Sequence, residues 1–494
     1  MARVMLVNPP WYVFLGMSSS SIPLGLTSLA GALKAAGHTV AVFNADLLGS
    51  LYASDLDVLR AHWTYLQRLQ DESDPVWRGV PDRLQQWAPD VVGVHVKTPS
   101  WASGRMVARI AKDALPSVTT LCGGPHVSCL PSDVGAASEF DYGIRGEGEL
   151  ATMQLLAAVS EEDRVRIPGL IRARDESATR LDGLCPLIEN LDELPFNGRE
   201  ALLDIDKYEK LGLGVIMTAR GCPFQCEYCA SLRTWTRKVR YRSPENVLAE
   251  IDYLVRRYGV TYFEFCDDTF TVNKKRAHRI CDMIRSRGQS LRWKCTTRAD
   301  CLDEVLADKM RASGCLEVSV GVESGSPRIL ERIRKGETTE DIARGCQILR
   351  ESGIPFVAFV MIGFPTESED EAWRTFEFAK SLGADSLCGS VVTPYPGTEL
   401  YSWAKEAGKL PDEPEWRDFY HQSDAMGLWD VPPERARTVI NTWFRAIERY
   451  NHRTSRLARR FIGKFRSDPI GTMRRSGSVL WRRLTKPLGT GSGF

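Results

Sequence analysis

The sequence lacks any run of eighteen apolar residues, the length that a membrane-spanning helix requires. It also lacks the pattern of a signal peptide, because its first residues lead directly into a strand-like apolar segment. No internal repeat or low-complexity tract is visible. These absences exclude several classes of protein and predict a globular, cytoplasmic chain. At 494 residues, the chain is long enough for two or three domains.

A disulfide framework is not expected either. The thirteen cysteines are odd in number and occur in a chain without a secretion signal, so we expect reduced thiols. Charge is also nearly balanced, at +1 overall, but residues 451–494 hold eleven Lys or Arg and one Asp. This tail is either a basic amphipathic segment that contacts anionic lipid or a solvated, domain-covering helix. Nucleic acid is not expected as a partner, because no recognisable binding module accompanies the basic residues.

Strand-like and helix-like segments alternate in the first part of the chain. Apolar runs near residues 3–10, 39–43, 90–96, 119–122 and 142–144 are separated by segments with helical spacing. This alternation predicts an α/β domain over residues 1–160, built on a doubly wound parallel sheet of the Rossmann type. Ligands of such sheets bind at the carboxyl ends of the strands.

The alternation resumes later in the chain. Residues 161–212 read as a linker subdomain with a small hairpin near residues 168–173. Residues 213–408 then contain six strand-helix units, which predict a partial (β/α)6 barrel with its chemistry at the carboxyl ends of the strands. Residues 409–494 are predicted to form a helical C-terminal region that includes the basic tail.

Three cysteines stand together in one loop at the end of a predicted strand: Cys222, Cys226 and Cys229. Such a spacing allows the three thiolates to bind one metal centre. A structural zinc site requires a fourth ligand, and the nearest other cysteines are Cys185 and Cys266. Three thiolates on a four-iron cluster instead leave one iron open to a substrate or cofactor. A zinc loop with a distant fourth ligand is the alternative.

This loop resembles the signature of radical S-adenosylmethionine (SAM) enzymes. The resemblance implies a [4Fe-4S] cluster held by the three cysteines, with the open iron binding the amino and carboxylate groups of SAM. Reduction of the cluster then cleaves SAM to methionine and a 5'-deoxyadenosyl radical. Tyr228, the aromatic residue before the third cysteine, is implied to lie near the adenine of SAM.

The loops of the N-terminal domain resemble the cobalamin-binding domain that is fused to many radical SAM enzymes. The resemblance covers residues 3–150 and depends on the order of several short motifs. The residues implied to bind cobalamin are Thr98, Ser100, Gly123, Gly124, His126, Gly146 and Glu147. Paired glycines allow the backbone to approach a bulky ligand closely. For His126, capping of a turn is an equally open interpretation.

Two negative observations refine this expectation. Residues 146–151 formally match a dinucleotide fingerprint, but Glu147 and Glu149 would repel a pyrophosphate, so we reject an NAD site. None of the seven histidines has an aspartate two residues before it, whereas better-known cobalamin proteins use such a histidine to bind cobalt. We therefore predict no histidine on the lower face of cobalt.

The strand ends of the predicted barrel resemble the same enzymes. By this resemblance, Glu323 and Ser324 are expected to hold the ribose or methionine part of SAM, and Arg298 its carboxylate. Tyr395 follows the sixth strand and is a candidate catalytic residue that contacts the substrate. For each of these residues, a strand-end turn or a salt bridge is the structural alternative.

The resemblance implies a cobalamin-dependent radical SAM enzyme that transfers a methyl group from methylcobalamin to an unactivated carbon through the adenosyl radical. The substrate is expected to be a small molecule or a lipid, and a low-potential flavodoxin or ferredoxin is the expected electron donor. The alternatives are oxidation, cyclisation or rearrangement with the same cofactors, tRNA methylthiolation, or non-catalytic sensing through cobalamin.

Overall fold

The computed structural model describes residues 1–15, 21–47, 67–173, 183–288, 290–421, 423 and 428–452. Residues 453–494, which hold nearly all of the basic tail and therefore the predicted membrane contact, lie outside the described residues.

Fourteen strands occur in the described part of the chain. Their bounds are β1 Arg3–Asn8, β2 Thr39–Asn44, β3 Val91–His95, β4 Thr119–Gly123, β5 Tyr142–Ile144, β6 Leu170–Arg172, β7 Val215–Ile216, β8 Ala219–Arg220, β9 Arg240–Tyr241, β10 Tyr262–Phe265, β11 Arg292–Thr297, β12 Cys315–Glu323, β13 Phe356–Ile362 and β14 Ser386–Val391.

The α-helices of the described residues connect and cover these strands. Their bounds are α1 Leu24–Ala35, α2 Pro75–Trp87, α3 Trp101–Ala114, α4 Pro125–Cys129, α5 Pro131–Ala136, α6 Gly148–Ala157, α7 Glu161–Val165, α8 Lys210–Leu213, α9 Ser231–Trp235, α10 Pro244–Tyr258, α11 Lys274–Ser286, α12 Glu304–Ala312, α13 Pro327–Arg332, α14 Thr339–Glu351, α15 Glu369–Ser381, α16 Glu399–Glu406 and α17 Pro433–Asn451.

The first sheet has the strand order β2-β1-β3-β4-β5-β6. Its first five strands are parallel. Alternate residues of β1 pack on opposite faces: Leu6 contacts the core under α1, whereas Val7 belongs to the core under α2 and α3. Helices therefore cover both faces, as apolar strands in a parallel sheet require. The predicted doubly wound parallel sheet is confirmed.

One strand of this sheet comes from the segment predicted to be a linker. Strand β6 pairs antiparallel with β5, with Ile171 opposite Gly143. Residues 170–172 thus form an edge strand of the N-terminal sheet. Antiparallel edge strands on otherwise parallel sheets are common in α/β folds.

The second sheet has the order β14-β13-β12-β11-β10-β7 and is parallel throughout. A helix follows each strand, and most of these helices begin at a polar residue whose side chain accepts a hydrogen bond from a backbone N–H of the first turn. These N-cap residues are Ser243, Asn273, Asp303, Ser326, Thr338, Ser368 and Thr398. The predicted partial barrel of six units is confirmed.

The helical C-terminal region covers the open edge of the second sheet. The side chain of Asn451 in α17 accepts a hydrogen bond from the Leu387 N–H and donates one to the Leu387 carbonyl, both at 2.9 Å. Trp443 is fully buried and donates to the carbonyl of Ala372 at 3.1 Å. Helix α17 therefore provides hydrogen-bond partners for part of the edge strand β14, whose backbone N–H and C=O groups would otherwise be unpaired. Within the described residues, no helix is both long and apolar enough to cross a membrane.

A buried carboxyl group connects the barrel to this C-terminal region. Glu367 lies after β13 and accepts hydrogen bonds from the N–H groups of Gly363 (2.7 Å) and Phe364 (3.2 Å). Its backbone carbonyl accepts from the indole N–H of Trp429. Burial nevertheless raises the pKa of Glu367 to about 8, and these two N–H groups only partly oppose that effect.

We expect Glu367 to make stability fall as pH rises. Its pKa when folded is above the value of about 4.3 for an unfolded glutamate, so the folded state binds the proton more tightly. The protonated Glu367 side chain contributes fully to the free energy of unfolding below pH 4. Between pH 4 and pH 8 this contribution falls by about 1.4 kcal/mol for each pH unit. Urea unfolding at pH 5.5 and pH 8 should show wild type losing several kcal/mol more than E367Q over this range.

The matched control is E434Q, which removes an exposed carboxylate at the start of α17. It should follow the wild-type pH dependence. Parallel pH profiles for wild type and E367Q would show that the Glu367 carboxyl is ionised in the folded protein at neutral pH.

Candidate active site between the two sheets

The three-cysteine loop lies between β8 and α9 and is held firmly at both ends. Before it, the carboxylate of Asp267 accepts hydrogen bonds from the N–H groups of Thr218 (2.5 Å) and Ala219 (3.0 Å). Within it, the Glu227 N–H donates to the Ile333 carbonyl at 3.1 Å, and the Glu227 carbonyl accepts from α16. These anchors position the loop against the barrel.

The thiols themselves are accessible and close in space. Cys222 and Cys226 are half-buried, Cys229 is exposed, and the Cys229 N–H donates to the Cys226 carbonyl at 3.2 Å. Among the described residues, no three His, Cys, Asp or Glu side chains converge closely enough to hold a single metal ion.

Two buried cations lie beside the cysteine loop. Burial raises the pKa of the Cys226 thiol, while the charges of Lys335 and Arg298 act in the opposite direction. The Lys335 ammonium is 4% exposed and lies 3.4 Å from Glu337 and 3.6 Å from Glu323. A group of thiolates carries negative charge, so cations at this position stabilise it in a site of low dielectric constant.

Arg298 contacts the loop directly. Its guanidinium lies 3.7 Å from the ring centroid of Phe224, which is in the cysteine loop. It also donates to the Asp300 carboxylate at 2.8 and 3.0 Å and to the Lys335 carbonyl at 2.6 Å. In this structure, Arg298 therefore supports the loop and its cation cluster. Its pairing with the SAM carboxylate remains a prediction.

Glu323 ends β12 in a left-handed backbone conformation, with φ of +63°. Such a conformation is unusual for a residue with a side chain and is typical of functional sites. The carboxylate of Glu323 accepts a hydrogen bond from the Tyr228 hydroxyl and lies above Gly321, where an added Cβ would be only 2.6 Å away. The structure thus brings together two residues that the sequence analysis predicted as SAM ligands. Ser324, the third, is fully buried, and its hydroxyl interacts with Thr375 and the Ser326 N–H.

A cavity of about 250 Å³ lies under α1 at the carboxyl edge of the first sheet. Its lining is mostly apolar, and it includes four residues predicted to bind cobalamin: Gly123, Gly124, Gly146 and Glu147. Gly124 has φ of +120°, and a Cβ there would lie 2.7 Å from the Val96 carbonyl oxygen, so only glycine fits. This first cavity offers exposed backbone and apolar walls to a bulky ligand.

A second cavity, of about 240 Å³, lies between the strand-end loops of both sheets. Thr98 and Ser100 line it from the first sheet, and Tyr395 lines it from the barrel. Ala230, which directly follows Cys229, also lines it. The cysteine loop, the predicted cobalamin-binding loops and the predicted catalytic tyrosine therefore meet at one cavity.

His126 lines neither cavity, although Pro125 beside it lines both, and its side chain is fully buried. Its Nε2 atom is 3.1 Å from the Asp133 carboxylate. Its ring contacts Trp101 at 4.8 Å and Trp416 at 5.5 Å between centroids. In this structure, His126 packs between the N-terminal domain and the C-terminal region, and its contact with cobalamin remains a prediction.

Two other histidines do reach the cavities. His95 lines the first cavity, and burial lowers its pKa to about 3. His421 lines the second, and burial lowers its pKa to about 4. Both imidazoles are therefore neutral at physiological pH. The absence of a histidine on cobalt remains a prediction.

Several residues of this region were not identified from the sequence. Lys335 follows a helix of ordinary composition, and His421 is in an irregular segment, so neither carries a sequence signal. Arg220 stands two residues before Cys222, and this proximity was a usable signal. It forms ion pairs with Glu147 and Glu149 at 3.3 and 2.6 Å.

Comparisons with known proteins agree with this geometry. Residues 17–156 match the B12 binding domain, and residues 216–379 match the Radical SAM superfamily. An uncharacterized methyltransferase of Pyrococcus horikoshii, PH0819, is 37% identical over 72% of this chain and 78% of its own length. The anaerobic magnesium-protoporphyrin IX monomethyl ester cyclase of Rubrivivax gelatinosus is 28% identical over 80% of this chain and 68% of its own.

A similar fold occurs in the radical SAM methyltransferase TsrM from Kitasatospora setae, solved with cobalamin and a [4Fe-4S] cluster. It aligns with a TM-score of 0.64 and 22% identity, covering 84% of this chain and 80% of that chain. This chain therefore belongs to the family of radical SAM enzymes that carry a B12-binding domain. Its cofactors are a [4Fe-4S] cluster, SAM and cobalamin, as the sequence analysis predicted.

We expect each loop cysteine to be required for the iron-sulfur cluster. Single substitutions C222A, C226A and C229A should reduce bound iron from about four per chain to a small fraction, because a cluster with two protein ligands is poorly retained. They should also abolish reductive SAM cleavage. Iron and sulfide analysis after anaerobic reconstitution measures this outcome.

The matched control is C388A, which removes a half-buried cysteine of β14. It should retain wild-type iron and sulfide. Full iron content in any one of the three loop variants would exclude that cysteine as a ligand.

Proposed function

We propose that this enzyme transfers a methyl group, supplied by its SAM and cobalamin cofactors, to an unactivated carbon of a small-molecule or lipid substrate. The observation that carries the proposal is the second cavity, which Ala230 of the cysteine loop and the carboxyl edge of the first sheet both line. When bound, the cluster would pass on an electron from an external donor, and SAM and cobalamin would supply the radical and the methyl group. The 37% identical relative with a methyltransferase name supports this choice.

The walls of the second cavity suit an apolar acceptor. They are built largely from aromatic rings and prolines, including Trp11, Tyr12 and Tyr420. Such walls exclude water, which would otherwise quench reactive species. Lys97 is an exposed cation at this cavity, and its ammonium lies 5.6 Å from the centroid of the Tyr12 ring. We therefore propose an apolar substrate that carries an anionic group able to pair with Lys97.

Tyr395 and His421 form one side of this cavity. Burial raises the pKa of the Tyr395 hydroxyl, and its oxygen is hydrogen-bonded to the backbone of His421. Tyr395 therefore stays protonated and serves to orient the cavity wall and the substrate. The neutral imidazole of His421 can accept a hydrogen bond or a proton from the substrate that receives the methyl group.

A non-methylating reaction with the same cofactors is the second candidate. The 28% identical relative is named as a cyclase, which shows that proteins of similar sequence perform other chemistry. We further propose a low-potential flavodoxin or ferredoxin as the electron donor, because reduction of an iron-sulfur cluster of this kind requires a low potential.

Methyl transfer and cyclisation differ in how they consume SAM. With the reconstituted enzyme, cobalamin, dithionite and SAM, methyl transfer should give both S-adenosylhomocysteine and 5'-deoxyadenosine. A cyclisation or oxidation should give only 5'-deoxyadenosine. SAM labelled with CD3, incubated with candidate apolar anions, should add the labelled methyl group to the product, measured by mass spectrometry.

The C388A variant should behave as wild type in this assay. Formation of 5'-deoxyadenosine without S-adenosylhomocysteine, under conditions where cobalamin is bound and reduced, would contradict methyl transfer and favour the second candidate.

We also propose that the basic tail contacts anionic lipid. Each Lys or Arg near such a surface contributes about 1 kcal/mol, so the tail should dominate binding. Full-length protein should sediment with phosphatidylserine vesicles, and a variant that ends at residue 450 should not. Phosphatidylcholine vesicles are the control. Equal sedimentation of both forms with anionic vesicles would exclude this role.

A further inference from the structure

Two arginines beside the cysteine loop form ion pairs with two glutamates of the N-terminal domain. Arg240 donates to both oxygens of Glu147, at 2.6 and 2.9 Å, and Arg220 donates to Glu149 at 2.6 Å. Arg220 also lies 3.3 Å from Glu147. We call Glu147, Glu149, Arg220 and Arg240 the ionic clamp. All four side chains are at most 8% exposed.

Glu149 and Arg220 of the clamp favour their charged forms although they are buried. Burial by itself raises the pKa of Glu149, but Arg220 and a hydrogen bond from Ser28 bring it below its ordinary value. Buried charges of this kind are stable only while their partners stay in place, because a buried charge without its partner is strongly destabilising. The clamp therefore fixes the relative position of the elements that carry it.

The arginine side of the clamp flanks the cysteine loop. Arg220 and Arg240 are directly opposite each other in the two-residue ladder of β8 and β9. Only Gly221 separates Arg220 from Cys222. Gly221 has φ of +107°, and an added Cβ would lie 2.4 Å from the Lys238 carbonyl oxygen, so this connection is tight. A displacement of Arg220 must therefore displace the first cysteine.

The glutamate side of the clamp is part of the first cavity. Glu147 and Glu149 line this cavity at the start of α6, together with Arg220 and Trp235. The ring of Trp235 lies 5.1 Å from the Arg220 guanidinium. A ligand that fills the cavity thus meets three of the four clamp residues, Glu147, Glu149 and Arg220.

We propose that the ionic clamp couples the first cavity to the cysteine loop, so that cobalamin and the iron-sulfur cluster strengthen each other's binding. Glu147, Glu149, Arg220 and Arg240 are positioning residues in this scheme. If binding of one cofactor orders the clamp and so tightens binding of the second, the second must tighten binding of the first by the same factor. The proposal requires the cofactors of the family but not methyl transfer, because its test measures binding alone.

The test is a binding cycle with full-length protein. The dissociation constant of hydroxocobalamin is measured by anaerobic equilibrium dialysis, before and after cluster reconstitution. In wild type, the cluster should tighten cobalamin binding by roughly 5- to 150-fold, the usual range of coupling between sites. In E149Q and E147Q, which keep the size of the side chain and remove its charge, this ratio should fall towards 1.

E371Q is the matched control, because Glu371 forms an ion pair with Arg328 within the barrel, at 2.6 Å. It should keep the wild-type ratio. If a glutamine variant does not fold, R220K keeps the charge and loses the forked geometry, and it should also lower the ratio. A wild-type ratio of 1, or clamp variants that weaken binding equally with and without the cluster, would overturn the proposal.

Discussion

The site depends on one constraint, the parallel arrangement of both sheets. Parallel strands place all their carboxyl-end loops at a single edge, so a chain with two such sheets has two functional edges. Here the two edges face one cavity, with Thr98 on one side and Tyr395 on the other. Neither sheet forms that cavity alone. The ionic contacts of Arg220 and Arg240 with the first domain maintain this arrangement in the interior, where water cannot replace them.

Charge is distributed unevenly around the cysteine loop. Lys335 and Arg298 place two buried cations beside Cys226, and Glu323, Glu337 and Asp300 offset them. In a region of low dielectric constant, this pairing leaves neither cation as a bare charge beside the cysteine loop. Glu323, which has a left-handed backbone conformation, is the member of this network that lies next to the Tyr228 hydroxyl at the predicted SAM site.

The C-terminal region takes part in the site and in the barrel. Asn451 pairs with the edge strand β14, and Trp429 binds the backbone of Glu367. The same region supplies His421 to the second cavity and places Trp416 on His126 of the first domain. Differences in this segment between related enzymes would change the cavity wall while leaving the cysteine loop intact. Substrate choice can therefore vary on a constant scaffold.

The two parallel sheets, the partial barrel and the three-cysteine loop could be predicted from the amino-acid sequence, because hydrophobic periodicity and cysteine spacing are local properties. The resemblance to cobalamin-dependent radical SAM enzymes added Gly123, Gly124 and Tyr395, and each of them lines one of the two cavities. Tertiary structure alone decided which polar side chains face a cavity. His126 is packed between tryptophans, whereas Lys335 lies beside Cys226, because side-chain direction and long-range packing are set by contacts between elements distant in sequence.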